Sequence, residues 1–218
     1  MKRIVISDTH VGSSFYRSSR LLEFLETEKF DELILAGDII DFIKIPTFTK
    51  NCAQILKKIG DHPRVIYVIG NHDESLSQLI GTEFFGIKFF RKYEFDCSGR
   101  KFRIEHGDRF ATGPLNTVTF IKVLSVLQNI IEKWLKIDFT TWWVRRQIRK
   151  HKLRSVSAIL SANDDVDVFI MGHTHIPEAV IWVSADQTIK TYINSGDWVS
   201  HQTYVEIQDG VSRLRQYS

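Results

Sequence analysis

Five times along the chain, an apolar run of strand-forming residues stops at a short cluster of Asp, His, Asn and Gly. The clusters are Asp8-Thr9-His10, Gly37-Asp38, Gly70-Asn71-His72-Asp73, His106-Gly107-Asp108 and Gly172-His173-Thr174-His175. The runs before them cover residues 3–7, 33–36, 65–69, 101–105 and 166–171. They are short and rich in Val, Ile and Leu, the pattern of buried strands. Helical periodicity separates the first three: Leu21, Leu22, Phe24 and Leu25 within residues 18–28, then Ile55, Leu56 and Ile59 within residues 49–59. Strand alternating with helix predicts βαβ units and a largely parallel sheet. Ligands of such sheets bind beyond the carboxyl ends of the strands. The five clusters are therefore expected to meet in one crevice.

Carboxylate, imidazole and amide oxygen together suit hard or borderline divalent cations. No cysteine joins the clusters, which argues against a structural zinc knuckle. In Asp8-x-His10 and His173-x-His175 the spacing is two, so an extended backbone would turn both members of each pair to one side. Five of the eight histidines lie in the clusters. Of the others, His62 precedes Pro63, His151 lies in a basic run, and His201 is read as a non-ligand near a strand start.

The rest of the chain has a different pattern. Residues 87–96 and 101–105 flank Cys97-Ser98-Gly99-Arg100 and are expected to form a hairpin. A long helical stretch covers about residues 114–160. Residues 179–183, 188–193, 203–208 and 211–216 are expected to form an antiparallel meander, with Asp209-Gly210 as a hairpin turn. The 218 residues fit a single domain, 1–218, carrying that helical insertion. A chain of this size buries a core without help from a metal, which frees a metal site for catalysis. Cys52 and Cys97 are far apart in sequence and are expected to be reduced thiols of a cytoplasmic protein. The start, MKRIVISDTH, lacks the apolar stretch of a signal peptide, and no apolar run reaches the ~20 residues of a membrane span.

The order Asp-x-His, Gly-Asp, Gly-Asn-His-Asp, His-Gly-Asp, Gly-His-x-His resembles the calcineurin-like metallophosphoesterases, with every motif present between Asp8 and His175. The resemblance implies an α/β fold, a four-layer α/β/β/α sandwich. It implies two divalent metal ions, manganese first, with iron, zinc, nickel, cobalt and magnesium as alternatives. One ion would be held by Asp8, His10, Asp38 and His175, the other by Asp38, Asn71, His106 and His173, with Asp38 bridging. His72 would touch the phosphate and protonate the leaving oxygen, and Asp73 would orient the imidazole. Asp41, Asp108 and Asp197 are candidates for holding the ligands in place. The segments Gly172 to Pro177, Tyr192 to Trp198 and Thr203-Tyr204, with His106-Gly107-Asp108-x-Phe110, resemble the UDP-2,3-diacylglucosamine pyrophosphohydrolase branch. Members of that branch carry Arg after Gly-Asn; this chain carries His72, the usual residue of the wider family.

The expected activity is hydrolysis of a phosphate ester or pyrophosphate bond by a metal-activated water. A nuclease or cyclic-nucleotide phosphodiesterase is the alternative on the same ligands, and a non-catalytic scaffold the alternative of another class. In the insertion, Phe120, Ile121, Leu124, Leu127, Ile131, Trp134 and Leu135 form a helical apolar stripe, which suits packing or self-association into a homo-oligomer. Residues 141–154 combine Trp142 and Trp143 with Arg145, Arg146, Arg149 and Lys150. That pattern suits a cap over a phosphorylated small-molecule or lipid-nucleotide substrate, or peripheral contact with the inner face of a membrane. Nucleic acid is the less favoured partner.

Overall fold

The computed structural model describes residues 1–12, 18–42, 49–110, 150, 153–159, 165–183 and 187–218. The chain divides into two compact units: Met1–His106 with Asn163–Ser218, and Gly107–Ala162. In the second, Asp108–Phe110 forms a 3-10 turn and residues 153–159 are helical. The apolar stripe and most of the basic run predicted there lie outside the described residues. No described helix is long and apolar enough to cross a membrane.

The first unit opens as the sequence predicts. Strand β1 (Lys2–Ile6), helix α1 (Ser18–Thr27), strand β2 (Glu32–Ala36), helix α2 (Lys50–Asp61) and strand β3 (Val65–Val68) follow in order. Thr49 caps α2 by accepting the Cys52 N–H at 3.3 Å. Cys52, Ile55 and Ile59, three and four residues apart, are its buried stripe. Strands β1, β2 and β3 pair in parallel, and β3 continues in parallel with β5 (Ile87–Phe90), which β4 (Glu83–Phe84) flanks. On the other side of β1 come β11 (Thr203–Gln208) and β12 (Val211–Gln216), completing seven strands. The second sheet has the order β6-β7-β8-β10-β9, built from β6 (Lys92–Cys97), β7 (Arg100–Glu105), β8 (Val168–Met171), β9 (Glu178–Val183) and β10 (Ile189–Asn194).

Alternation along the strands divides the core. Ile4 and Ile6 join Leu33, Leu35, Val65 and Tyr67 beneath Leu21 and Phe24 of α1 and Ile55 and Ile59 of α2. Val5, Ile34, Ala36, Ile66 and Val68 face the other way, onto Phe102, Ile104, Val168, Ile170 and Ile193 of the second sheet. The result is helices, sheet and sheet in layers. No described residue of the first unit contributes the fourth, outer helical layer.

Two expectations need correction. Residues 87–96 are not one arm of a hairpin: 87–90 belong to the first sheet and 92–97 to the second, where they pair with β7. The last four strands are not one meander. They form two hairpins, β9–β10 in the second sheet and β11–β12 in the first. Both errors have one cause: apolar alternation marks a strand but not the sheet it enters. The Asp209-Gly210 turn is as predicted, with both residues at positive φ, 51° and 76°.

Candidate metal centre

All five clusters leave strands in the same sense. Asp8 and His10 follow β1, Asp38 follows β2, and Asn71 to Asp73 follow β3; His106 follows β7, and His173 and His175 follow β8. Because β1, β2 and β3 are parallel, as are β7 and β8, their carboxyl ends deliver these loops together. Asp8, His10 and His175 form one group of converging ligand atoms, and Asp38, His106 and His173 another. Asp38 also groups with His10 and His72. Within each group the ligand atoms lie within 4.8 Å of one another.

The backbone here is unusual. Asp8, His10, Asp38, His173 and His175 all have positive φ, between 48° and 66°. Such conformations are uncommon outside glycine and collect at functional sites. The spacing argument for an extended Asp-x-His and His-x-His therefore does not apply. Asp8 and His10 still converge on one group, whereas His173 and His175 part to different ones. Gly70 and Gly172 allow the close packing between loops. A Cβ on Gly70 would fall on the Asp38 carboxylate, and one on Gly172 on the carboxylate of Asp8 and the hydroxyl of Ser7.

Hydrogen bonds set the ring tautomers. His106 Nδ1 lies 2.9 Å from the Ala36 carbonyl, an oxygen that only accepts, so Nδ1 carries the proton. In the neutral ring Nε2 then presents a lone pair. It faces Asp38 Oδ2 at 3.1 Å, Asn71 Oδ1 at 3.2 Å and His173 Nδ1 at 3.3 Å. Asn71 Oδ1 lies 3.0 Å from that His173 nitrogen. On the other side, His175 Nε2 lies 3.3 Å from Asp8 Oδ1 and 3.3 Å from His10 Nε2. Acceptors crowded this closely repel unless a proton or a cation sits among them. These residues fit a divalent cation, and their oxygen and nitrogen donors are the expected kind.

The buried charges of the cluster also shift one another. Burial would raise Asp38, but His106, with His72 and His10, draws it below the ordinary carboxylate range. Asp73 goes the opposite way, to about 7, through burial and then the charge of Asp38. Burial lowers His10. It would also lower His72 and His175, but carboxylates outweigh it: Asp41 and Asp38 raise the first, Asp8 and Asp197 the second.

His72 stands at the edge of this cluster with Nε2 3.8 Å from Asp38 Oδ2 and its ring edge-to-face with His10. Its orienting partner is Asp41, whose Oδ1 lies 3.2 Å from Nδ1. This corrects the expectation for Asp73. That carboxylate is fully buried and accepts the N–H groups of Ile39 at 3.2 Å and Ile40 at 3.0 Å, bracing the loop after Asp38. Sequence adjacency favoured Asp73; the strand-end turn brings Asp41 instead. Asp197 lies 3.6 Å from His175 Nδ1, and His201 is bonded to Asp197. Asp108 belongs to the second unit, and His151 lies outside the described residues.

The sequence model of the family described as calcineurin-like phosphoesterase matches residues 1–177. A UDP-2,3-diacylglucosamine hydrolase of Vibrio cholerae serotype O1 is 26% identical over 245 aligned residues, covering 100% of this chain and 96% of that protein. Among solved structures, Yfce, a phosphoesterase from E. coli, superposes with a TM-score of 0.51 at 17% identity, covering 97% of this chain and 91% of that one. An archaeal phosphodiesterase gives 0.50 at 18% identity, with 100% of both chains covered. At these identities the two structures speak for the shared fold alone.

Proposed function

The chain belongs to the calcineurin-like phosphoesterases, and from that membership we propose that it hydrolyses a phosphate ester or pyrophosphate bond at a centre of two divalent metal ions. The observation that carries the reading is the place of Asp38, whose carboxylate groups both with His106 and His173 and with His10. Asp8, His10, Asp38 and His175 would hold one ion; Asp38, Asn71, His106 and His173 would hold the other. When bound, such a pair lowers the pKa of a water and neutralises charge on phosphoryl oxygens. The residues supply the rest. Asp41 holds His72 through Nδ1 and leaves Nε2 facing the ligands, where it can donate a proton to the departing oxygen. Backbone N–H groups hold the carboxylates: His173 N donates to Asp8 at 3.0 Å, and His72 N to Asp38 at 2.8 Å.

For the substrate, the full-length relative in Vibrio cholerae supports a lipid-nucleotide of the UDP-2,3-diacylglucosamine type. Cleavage of its pyrophosphate would yield UMP and an acylated sugar phosphate. The test is an assay of the purified chain with Mn, Co, Ni, Zn or Mg on that compound, on p-nitrophenyl phosphate and its bis-ester, and on cyclic nucleotides. Metal-dependent release of UMP with the highest kcat/KM is expected. Faster turnover of the bis-ester or of cyclic nucleotides would sink the substrate assignment. No turnover at all with two ions bound would sink the enzyme reading.

A further inference from the structure

Behind the Asp8, His10 and His175 group lies a set of contacts that the reading above does not use. Asp197 follows β10 and is 2% exposed. Its Oδ1 accepts the backbone N–H groups of Val199, Ser200 and His201, which fixes the plane of the carboxylate. Its Oδ2 is thereby presented to two imidazoles: His201 Nδ1 at 2.9 Å and His175 Nδ1 at 3.6 Å. A proton on His175 Nδ1 facing this oxygen leaves Nε2 free, 3.3 Å from Asp8 Oδ1. A partner on the far ring nitrogen is how a protein aims a histidine ligand and raises its basicity. The two ligand groups receive this support differently. His106 Nδ1 faces a main-chain carbonyl, whereas His175 Nδ1 lies 3.6 Å from a carboxylate that a second, part-exposed histidine shares.

We propose that Asp197 is a positioning residue that aims His175 Nε2 at the cation held by Asp8 and His10, and that His201 steadies Asp197, so that the pair governs occupancy of that position alone. The proposal rests on the two-metal reading. The substitution Asp197→Asn separates positioning from a merely structural role. An amide oxygen can still accept the three backbone N–H groups, but the amide nitrogen offers no acceptor to an imidazole N–H.

The experiment is equilibrium dialysis of the metal-stripped chain against Mn, with bound metal counted by mass spectrometry and folding followed by circular dichroism. Wild type is expected to bind two ions. Asp197→Asn should bind one with unchanged affinity and the other about 10–100-fold more weakly. His201→Gln should weaken the same ion by a smaller factor, and should add nothing in the Asp197→Asn background. Two ions at wild-type affinity in Asp197→Asn overturn the proposal while leaving the metal centre intact. Fewer than two ions in wild type overturn the two-metal reading itself, whatever the variants do. If Asp197→Asn does not fold, His201→Gln decides, and unchanged affinity for both ions then refutes the coupling.

Discussion

The imidazole of His106 is aimed by the main chain of Ala36, 70 residues earlier, through a 2.9 Å contact from Nδ1 to the carbonyl oxygen. Ala36 ends β2 and His106 follows β7, so the bond ties the two sheets together at the point where Asp38 leaves the first. Nε2 is left facing Asp38 and Asn71. In the proposed two-metal centre, replacing His106 by Ala removes a ligand that the Ala36 carbonyl preorganises. One bound ion should be lost and turnover should fall by at least roughly 100-fold, above the usual loss for groups that merely support a ligand. Metal counting beside steady-state kinetics checks this; two ions retained in the variant would contradict the ligand assignment.

His72 should behave differently, because it lies beside the ligands and is held by Asp41. The variant His72→Asn is expected to keep both ions. Its kcat should drop by about 10²–10⁴ on a substrate with a poor leaving group, where a proton must be supplied. On p-nitrophenyl phosphate, whose leaving group departs as a stable anion, the loss should be much smaller. Asp41→Asn should follow the same trend more weakly. Equal losses on both substrates would count against proton donation.

Gly172 can be tested for space alone. A Cβ there would meet Asp8 Oδ2 and the Ser7 hydroxyl, both packed against Gly172. Gly172→Ala should therefore displace the Asp8 carboxylate and cost about 1–3 kcal/mol of folding stability, as overpacking in a close-fitted interior does. Urea denaturation of the metal-free chain measures the cost, and weaker binding of the ion on Asp8 should accompany it. Wild-type stability and affinity together would show that the loop relaxes freely.

Cations that bind the assembled centre and not the unfolded chain should stabilise the fold by mass action. At a free concentration near 100 times Kd, one site contributes about 2.7 kcal/mol. Denaturation midpoints with Mn and with EDTA should differ accordingly, and Asp38→Asn should remove most of the difference because Asp38 joins both groups. No midpoint difference in wild type would argue that these acceptors hold no ion.

Much of this was legible in the sequence, for physical reasons. Strands β2, β3 and β8 are buried on both faces, so β2 appears as the apolar run Leu-Ile-Leu-Ala after Glu32, and the glycine-flanked clusters stand out at the strand ends. What escaped depends on distant atoms. Asp41 and Asp73 both lie near His72, by fold or by sequence, and only the turn after Asp38 decides which carboxylate meets its ring. Arg91, between β5 and β6, marks a change of sheet that no local periodicity signals. The link from His201 through Asp197 to His175 joins a loop after β10 to one after β8, and only the spacing of those loops makes it visible.

The left-handed backbone of the candidate ligands could not be read either, since aspartate and histidine do not announce positive φ as glycine does. His175 allows a direct measurement of what that conformation costs. Its φ is 60° and its side chain is 40% exposed, so removing the imidazole leaves little buried void. His175→Ala and His175→Gly both abolish the ligand and differ only in Cβ. An alanine held in the left-handed region is disfavoured by about 1–2 kcal/mol, partly offset by the greater freedom glycine loses on folding. The Gly variant should therefore be the more stable of the two by roughly 1 kcal/mol in metal-free urea denaturation. Both should lose the ion held with Asp8 and His10. An Ala variant as stable as the Gly variant would mean that the loop after β8 relaxes once the ligand is gone, and that the strain exists only while the histidine is held in place.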